Sequence, residues 1–145
     1  EFRRVLFRSY VVFDAPLVML CDSPTRYMAD EACTRFIASL PVVFDTTRVL
    51  AGEIGEYIVT ARKRQDCWYV GGLTGWTPRT LDVDLSLLDP GREYTATLLA
   101  DDGRSAAEPA RYVLSTQRVT SATRLQIPVA PGGGFALKIE PADNK

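Results

Sequence analysis

Residues 45–76, DTTRVLAGEIGEYIVTARKRQDCWYVGGLTGW, decide the fold. Within them Tyr57, Val59 and Ala61 alternate with Glu56, Thr60 and Arg62, a period of two that only Ile58 interrupts. Such alternation puts one set of side chains on each face of a strand. A polar corner at 63–66 leads into Cys67-Trp68-Tyr69-Val70. β-Branched and aromatic residues bounded by Gly and Asp clusters suit a pleated, half-buried surface. The stretch reads as three short strands joined by tight turns, and it holds no catalytic motif.

The same texture continues to the C-terminal end. Leu81, Val83, Leu85 and Leu87 face one way and Asp82, Asp84 and Ser86 the other. Asp89-Pro90-Gly91 is a turn, 94–100 a strand stopped by Asp101-Asp102-Gly103, and 105–109 a loop. Strands over 111–119, 123–129 and 135–139 complete the set, with a loose tail at 142–145. About eight strands in roughly 100 residues, each bounded by turn signals, predict an antiparallel β-sandwich with Greek-key crossings over 41–141.

Upstream of Pro41 the pattern differs. Residues 10–15 read as the end of a helix stopped by Pro16. The apolar run 16–20, closed by Cys21-Asp22-Ser23-Pro24, suits a strand buried on both faces, as in a parallel sheet. A helix then carries Tyr27, Cys33, Phe36, Ile37 and Leu40 on its apolar side, with Asp30 and Glu31 near its start and Pro41 ending it. A strand and a helix are one step of an α/β layer and cannot bury their faces alone. Residues 1–9, EFRRVLFRS, match the in-frame translation of a widely used sequencing adapter and are set apart as foreign. The match implies a natural sequence that begins further upstream. Arg3, Arg4 and Arg8 against Glu1 contribute +2, so without the segment the net charge of −1 becomes −3.

Composition excludes several classes of function. The chain has 145 residues and no histidine, which removes Ser-His-Asp and Cys-His relays and imidazole metal ligands. Cys21, Cys33 and Cys67 are odd in number and far apart, unlike a disulfide framework or paired zinc ligands. No apolar run approaches the roughly 20 residues that span a bilayer, and no broad basic surface is available for nucleic acid. Neither a membrane nor nucleic acid is therefore an expected partner.

The candidate constellations are few. Gly132-Gly133-Gly134 precedes a strand rather than a helix, so it reads as a sandwich corner and not a phosphate loop. Asp82 and Asp84 share the solvent face of one strand, without the further oxygen ligands that calcium needs. Trp76, between Gly75 and Thr77-Pro78, is the aromatic placed to be exposed and to touch a sugar, whereas Trp68 belongs to the core. Asp22 lies just past the carboxyl end of the apolar strand; capping of the Ser23-Pro24 turn is its first reading, and ligand contact, which α/β folds make at that end, is the alternative.

The segments DAPLVMLCDSPTRY, PVVFDTTRVLAGEIGEYIVTARK, WYVGGLTGWTPR and APGGGFALKI, in this order, resemble the C-terminal end of glycoside hydrolase family 97. Phe44 stands where the family has Trp, and Asp14-Ala15 where Glu-Ser is commoner. The resemblance implies an N-terminal sandwich, a catalytic (β/α)8 barrel and a C-terminal sandwich. On that scheme 10–40 hold the last barrel strand and helix and 41–141 the terminal sandwich. It implies an α-glucosidase or α-galactosidase acting on α-linked oligosaccharides, with calcium in the active site and a periplasmic or secreted location. The catalytic carboxylates and the calcium ligands belong to upstream segments, so no catalytic or metal residue is assigned here and the chain alone is expected to be inactive. The rest of the barrel is the partner in cis. A free-standing carbohydrate-binding sandwich and an Ig-like interaction domain are the alternatives, and the segment 10–40 argues against the first.

Overall fold

The computed structural model describes residues 2–14, 23–101 and 112–142. Three helices, α1 (Phe2–Val12), α2 (Pro24–Met28) and α3 (Glu31–Ala38), precede eight strands. The strands are β1 (Thr46–Glu53), β2 (Tyr57–Arg64), β3 (Cys67–Thr74), β4 (Arg79–Asp84), β5 (Tyr94–Asp101), β6 (Tyr112–Val119), β7 (Arg124–Val129) and β8 (Gly134–Pro141). The apolar run at 16–20, Asp22 and the loop at 105–109 lie outside the described residues. So does most of the tail, although the Ala142 N–H donates to the Glu93 carbonyl at 3.0 Å.

Among the described residues all strand pairs are antiparallel, and they form two sheets. One has six strands in the order β1-β2-β3-β8-β5-β6, and the other is the pair β4-β7. β4 and β7 leave the large sheet to pair with each other, and β8 returns between β3 and β5, a Greek-key type of crossing. The fold is thus an asymmetric β-sandwich with the predicted number of strands.

The core lies between the sheets. Val59, Ala61, Trp68, Val70, Phe135, Leu137 and Ile139 of the large sheet meet Leu81, Val83, Ile127 and Val129 of the small one. The alternation in β4 behaves as read, with Leu81 and Val83 buried and Asp82 and Asp84 exposed. The strand stops sooner than the pattern suggests. The Asp84 carboxylate accepts from the Ser86 N–H at 2.9 Å and Leu88 N–H donates to Leu85 O at 2.9 Å. That turn makes Leu88, rather than Leu87, the fully buried residue.

The helix read over the residues before Pro41 is two helices. Asp30 caps α3 by accepting from the Cys33 N–H at 3.3 Å, so it begins a second helix instead of lying inside a first. Tyr27 belongs to the separate turn α2. α1 and α3 lie on the outer face of the large sheet, where Phe7, Val11, Cys33 and Phe36 pack against Tyr69, Leu99 and Ala136. α1 runs without a break through the boundary drawn at residue 9, and Phe7 and Arg8 are buried.

Candidate functional site

The outer face of the six-stranded sheet is where this chain gathers its buried polar chemistry. Thr60, Gly71, Ala136 and Leu99 lie in one row across β2, β3, β8 and β5, all turned toward the helices. The small residues in that row let α1 come close. A Cβ on Gly71 would sit 2.8 Å from Val12 and 2.9 Å from Val11, and one on Gly134 would sit 2.6 Å from Arg8 Cδ. Thr60 and Arg62, which alternation alone assigns to a polar face, are buried. Ile58, the residue out of phase in β2, points the same way. It helps line an open apolar groove of about 750 Å³ with Phe13, Val49 and Leu73.

Asp101 organises one end of this face. Its side chain is fully buried and meets Arg8 Nη1 at 3.2 Å. It also accepts from the Gly134 N–H at 2.5 Å, while Arg8 Nη2 donates to the Gly132 carbonyl at 2.7 Å. The triple-glycine corner does hold an oxyanion, but the anion is the chain's own carboxylate. A side chain at Gly133 would run into it. Nearby, the Tyr112 hydroxyl donates to Asp30 at 2.5 Å, joining the cap of α3 to β6. At the far end Arg62 lies 3.4 Å from Asp14 and its guanidinium stacks 5.0 Å from the Phe44 ring centre. These contacts fix α1 and α3 on the sheet. Of these carboxylates Asp101 is buried, Asp30 half-buried and Asp14 exposed.

Three groups beneath the helices, Tyr69, Cys67 and Tyr112, are shifted toward their neutral forms. Burial, then the neighbouring Cys67 and Glu140, pushes the Tyr69 hydroxyl up to about 12. Burial and then Glu140 raise the Cys67 thiol, so it is no thiolate nucleophile at neutral pH. Burial and the Asp30 carboxylate raise Tyr112. In contrast, Asp45 and Asp84 on the surface are lowered, chiefly by the backbone N–H groups of Gln65 and Ser86. Among the described residues no three His, Cys, Asp or Glu side chains are grouped to hold a metal ion.

Of the residues singled out by sequence, Trp68 is core at 4% exposure and Trp76 stands out of its turn at 90%. Asp22 falls outside the described residues. Asp101, Arg8, Arg62 and the Tyr112–Asp30 pair went unnoticed in the sequence. Arg8 and Asp101 are 93 positions apart, and Asp101 opens a DDG triplet that reads as a plain turn.

Comparison with known proteins places this arrangement. A retaining α-galactosidase of Bacteroides thetaiotaomicron is 46% identical over 131 residues, covering 90% of this chain and 20% of that protein. A probable retaining α-galactosidase of Streptomyces bingchenggensis is 32% identical, with 87% and 19% covered. The structure of a glycoside hydrolase family 97 enzyme from a Pseudoalteromonas strain, in complex with acarbose, superposes with a TM-score of 0.90 at 27% identity. It covers 94% of this chain and 22% of that one. The chain thus spans about a fifth of the length of the curated relatives it matches. Residues 43–140 match the family described as glycosyl-hydrolase 97 C-terminal, oligomerisation, and the chain belongs to that family.

Proposed function

We propose that this chain is the terminal sandwich of an α-glycosidase, carrying with it the last strand and helices of the catalytic barrel, and that the sandwich seats the barrel and mediates oligomerisation. One observation carries the reading. Helices α1 and α3 pack on a sheet face that also carries the buried polar residues Thr60, Arg62 and Asp101, and Arg8 of α1 reaches Asp101 at 3.2 Å. The similarity to the Bacteroides α-galactosidase and to the family 97 structure covers 90% and 94% of the chain, more than the sandwich alone. On this reading residues 10–40 are barrel and 41–141 sandwich, and the groove at Phe13, Val49, Ile58 and Leu73 receives further barrel surface. The substrate class is α-linked oligosaccharide, with an α-galactoside favoured by the 46% identity to the Bacteroides enzyme.

Catalytic carboxylates and calcium ligands belong to upstream sequence, and the whole protein would act in the periplasm or outside the cell. Within this chain, Asp22 and the exposed Trp76 are the residues proposed to meet sugar. The test is to recover the upstream reading frame, look there for a signal peptide, and assay the joined protein on nitrophenyl α-galactoside and α-glucoside with and without a calcium chelator. Turnover should appear only in the joined protein. Turnover by the 145-residue chain itself, abolished by Asp22→Asn, would contradict the reading.

A further inference from the structure

The large sheet ends in two edge strands that differ in how they are protected. β1 carries a register shift between Val49 and Ala51, a bulge that interrupts the regular spacing of its backbone groups. β6 has no such device. It pairs with β5 over eight consecutive positions, from Tyr94↔Val119 to Asp101↔Tyr112, without a break. Residues 113–118 are all exposed, and among the described residues no strand lies beyond them. The sequence YVLSTQRV contains no proline and no lysine. Its one charged side chain, Arg118, is engaged by Glu93 at 2.8 Å. Val113 and Leu114, on opposite faces, are 50% and 47% exposed. A long, regular, weakly charged edge offers unpaired N–H and C=O groups to another strand.

We infer that β6 is the seam across which a second copy of this chain pairs, antiparallel about a two-fold axis, joining two six-stranded sheets into one. The inference rests on the oligomerisation role proposed above and names its surface. The strand is self-complementary in the way a two-fold interface requires. With the axis at Ser115 or Thr116, Arg118 falls opposite the partner's Tyr112 or the partner's Leu114, so no like charges meet. The helices sit on the sheet's outer face, and among the described residues of β6 Tyr112, at its end, meets them through its hydroxyl on Asp30 and its ring beside Phe7. The middle of the edge stays open.

Light scattering and sedimentation over a wide concentration range would test this on the 145-residue chain. The unmodified chain should show twice its 16.1 kDa mass. Ser115→Lys and Thr116→Lys should return it to 16.1 kDa with an unchanged circular dichroism spectrum, while Val49→Lys on β1 should leave the dimer intact. In case the lysine variants fold poorly, hydrogen exchange on the unmodified chain gives a second readout. Amides at 113–118 should gain protection as concentration rises. A chain that stays monomeric would sink the oligomerisation reading itself. A dimer that survives both β6 variants, or that gains protection along β1 instead, would leave that reading standing and overturn the β6 seam.

Discussion

The two faces of the six-stranded sheet are built on different principles. The inner face is sealed by β4 and β7 and is apolar at its centre, with Val59, Ala61, Val70, Leu137 and Ile139 at or near zero exposure. The outer face is sealed by helices and mixes small residues, aromatics and buried polar groups: Gly71, Ala136, Tyr69, Thr60, Arg62 and Asp101. The inner face gains cohesion from non-directional burial, about 25 cal/mol per Å² of apolar surface. The outer face gains little from area and much from direction, because an Arg–Asp pair taken out of water is favourable only in one geometry. A face that meets another layer at a fixed angle needs that kind of contact.

Breaking the directional contact should have the largest effect. Asp101→Ala leaves Arg8 buried without its carboxylate and the Gly134 N–H without its acceptor. It should weaken the closed helix layer by about 3–5 kcal/mol. The loss should show as helices that detach, seen in early protease cleavage of α1, ahead of unfolding of the sheet. Leu137→Ala, on the inner face, removes only apolar contacts and should lower global stability to urea by about 2–5 kcal/mol. There, helices and strands should be lost together. If both substitutions shift a single cooperative transition by the same route, the contrast between the faces fails.

The smallest effect lies in alkali. Tyr69, on the outer face, has its hydroxyl pushed up to about 12 from an ordinary value of 10.0. The folded state therefore holds its proton more tightly than the unfolded chain does. Its contribution is fully present below pH 10 and is lost as the pH rises toward 12. Urea midpoints measured across that window should fall less steeply in Tyr69→Phe than in the unmodified chain. Equal slopes would mean that Tyr69 is hydrated, with the helix layer open.

Much of the inner face was legible in the sequence. The alternation in β2 and β4, the turns at 63–66 and 89–91, and the division between Trp68 and Trp76 follow from local pattern, which fixes the parity of a strand. Parity does not say what covers each face. Arg62 and Thr60 look like a solvent-facing set until α1 is laid over them, and Ile58 looks like an error in a pattern that it obeys on the outer side. Strand order was equally hidden, because the insertion of β8 between β3 and β5 joins segments far apart in the chain. Asp101 has no local signal for the same reason. The split of one predicted helix into α2 and α3 was in principle readable, since Asp30 is an N-cap residue type in mid-pattern, with Glu31 in the first turn after it.

The central claim is that α1 and α3 form a layer added to a sandwich that is complete without them. Native-state hydrogen exchange on the 145-residue chain, followed through sub-denaturing urea, measures this directly, because it separates partial from global opening. Amides of α1 and α3 should exchange through an opening of lower free energy and weaker urea dependence than those of β2, β3, β8 and β5. Helix and sheet amides that merge at one common free energy, with one urea dependence, would contradict the claim and make the helices part of the sandwich's own cooperative core.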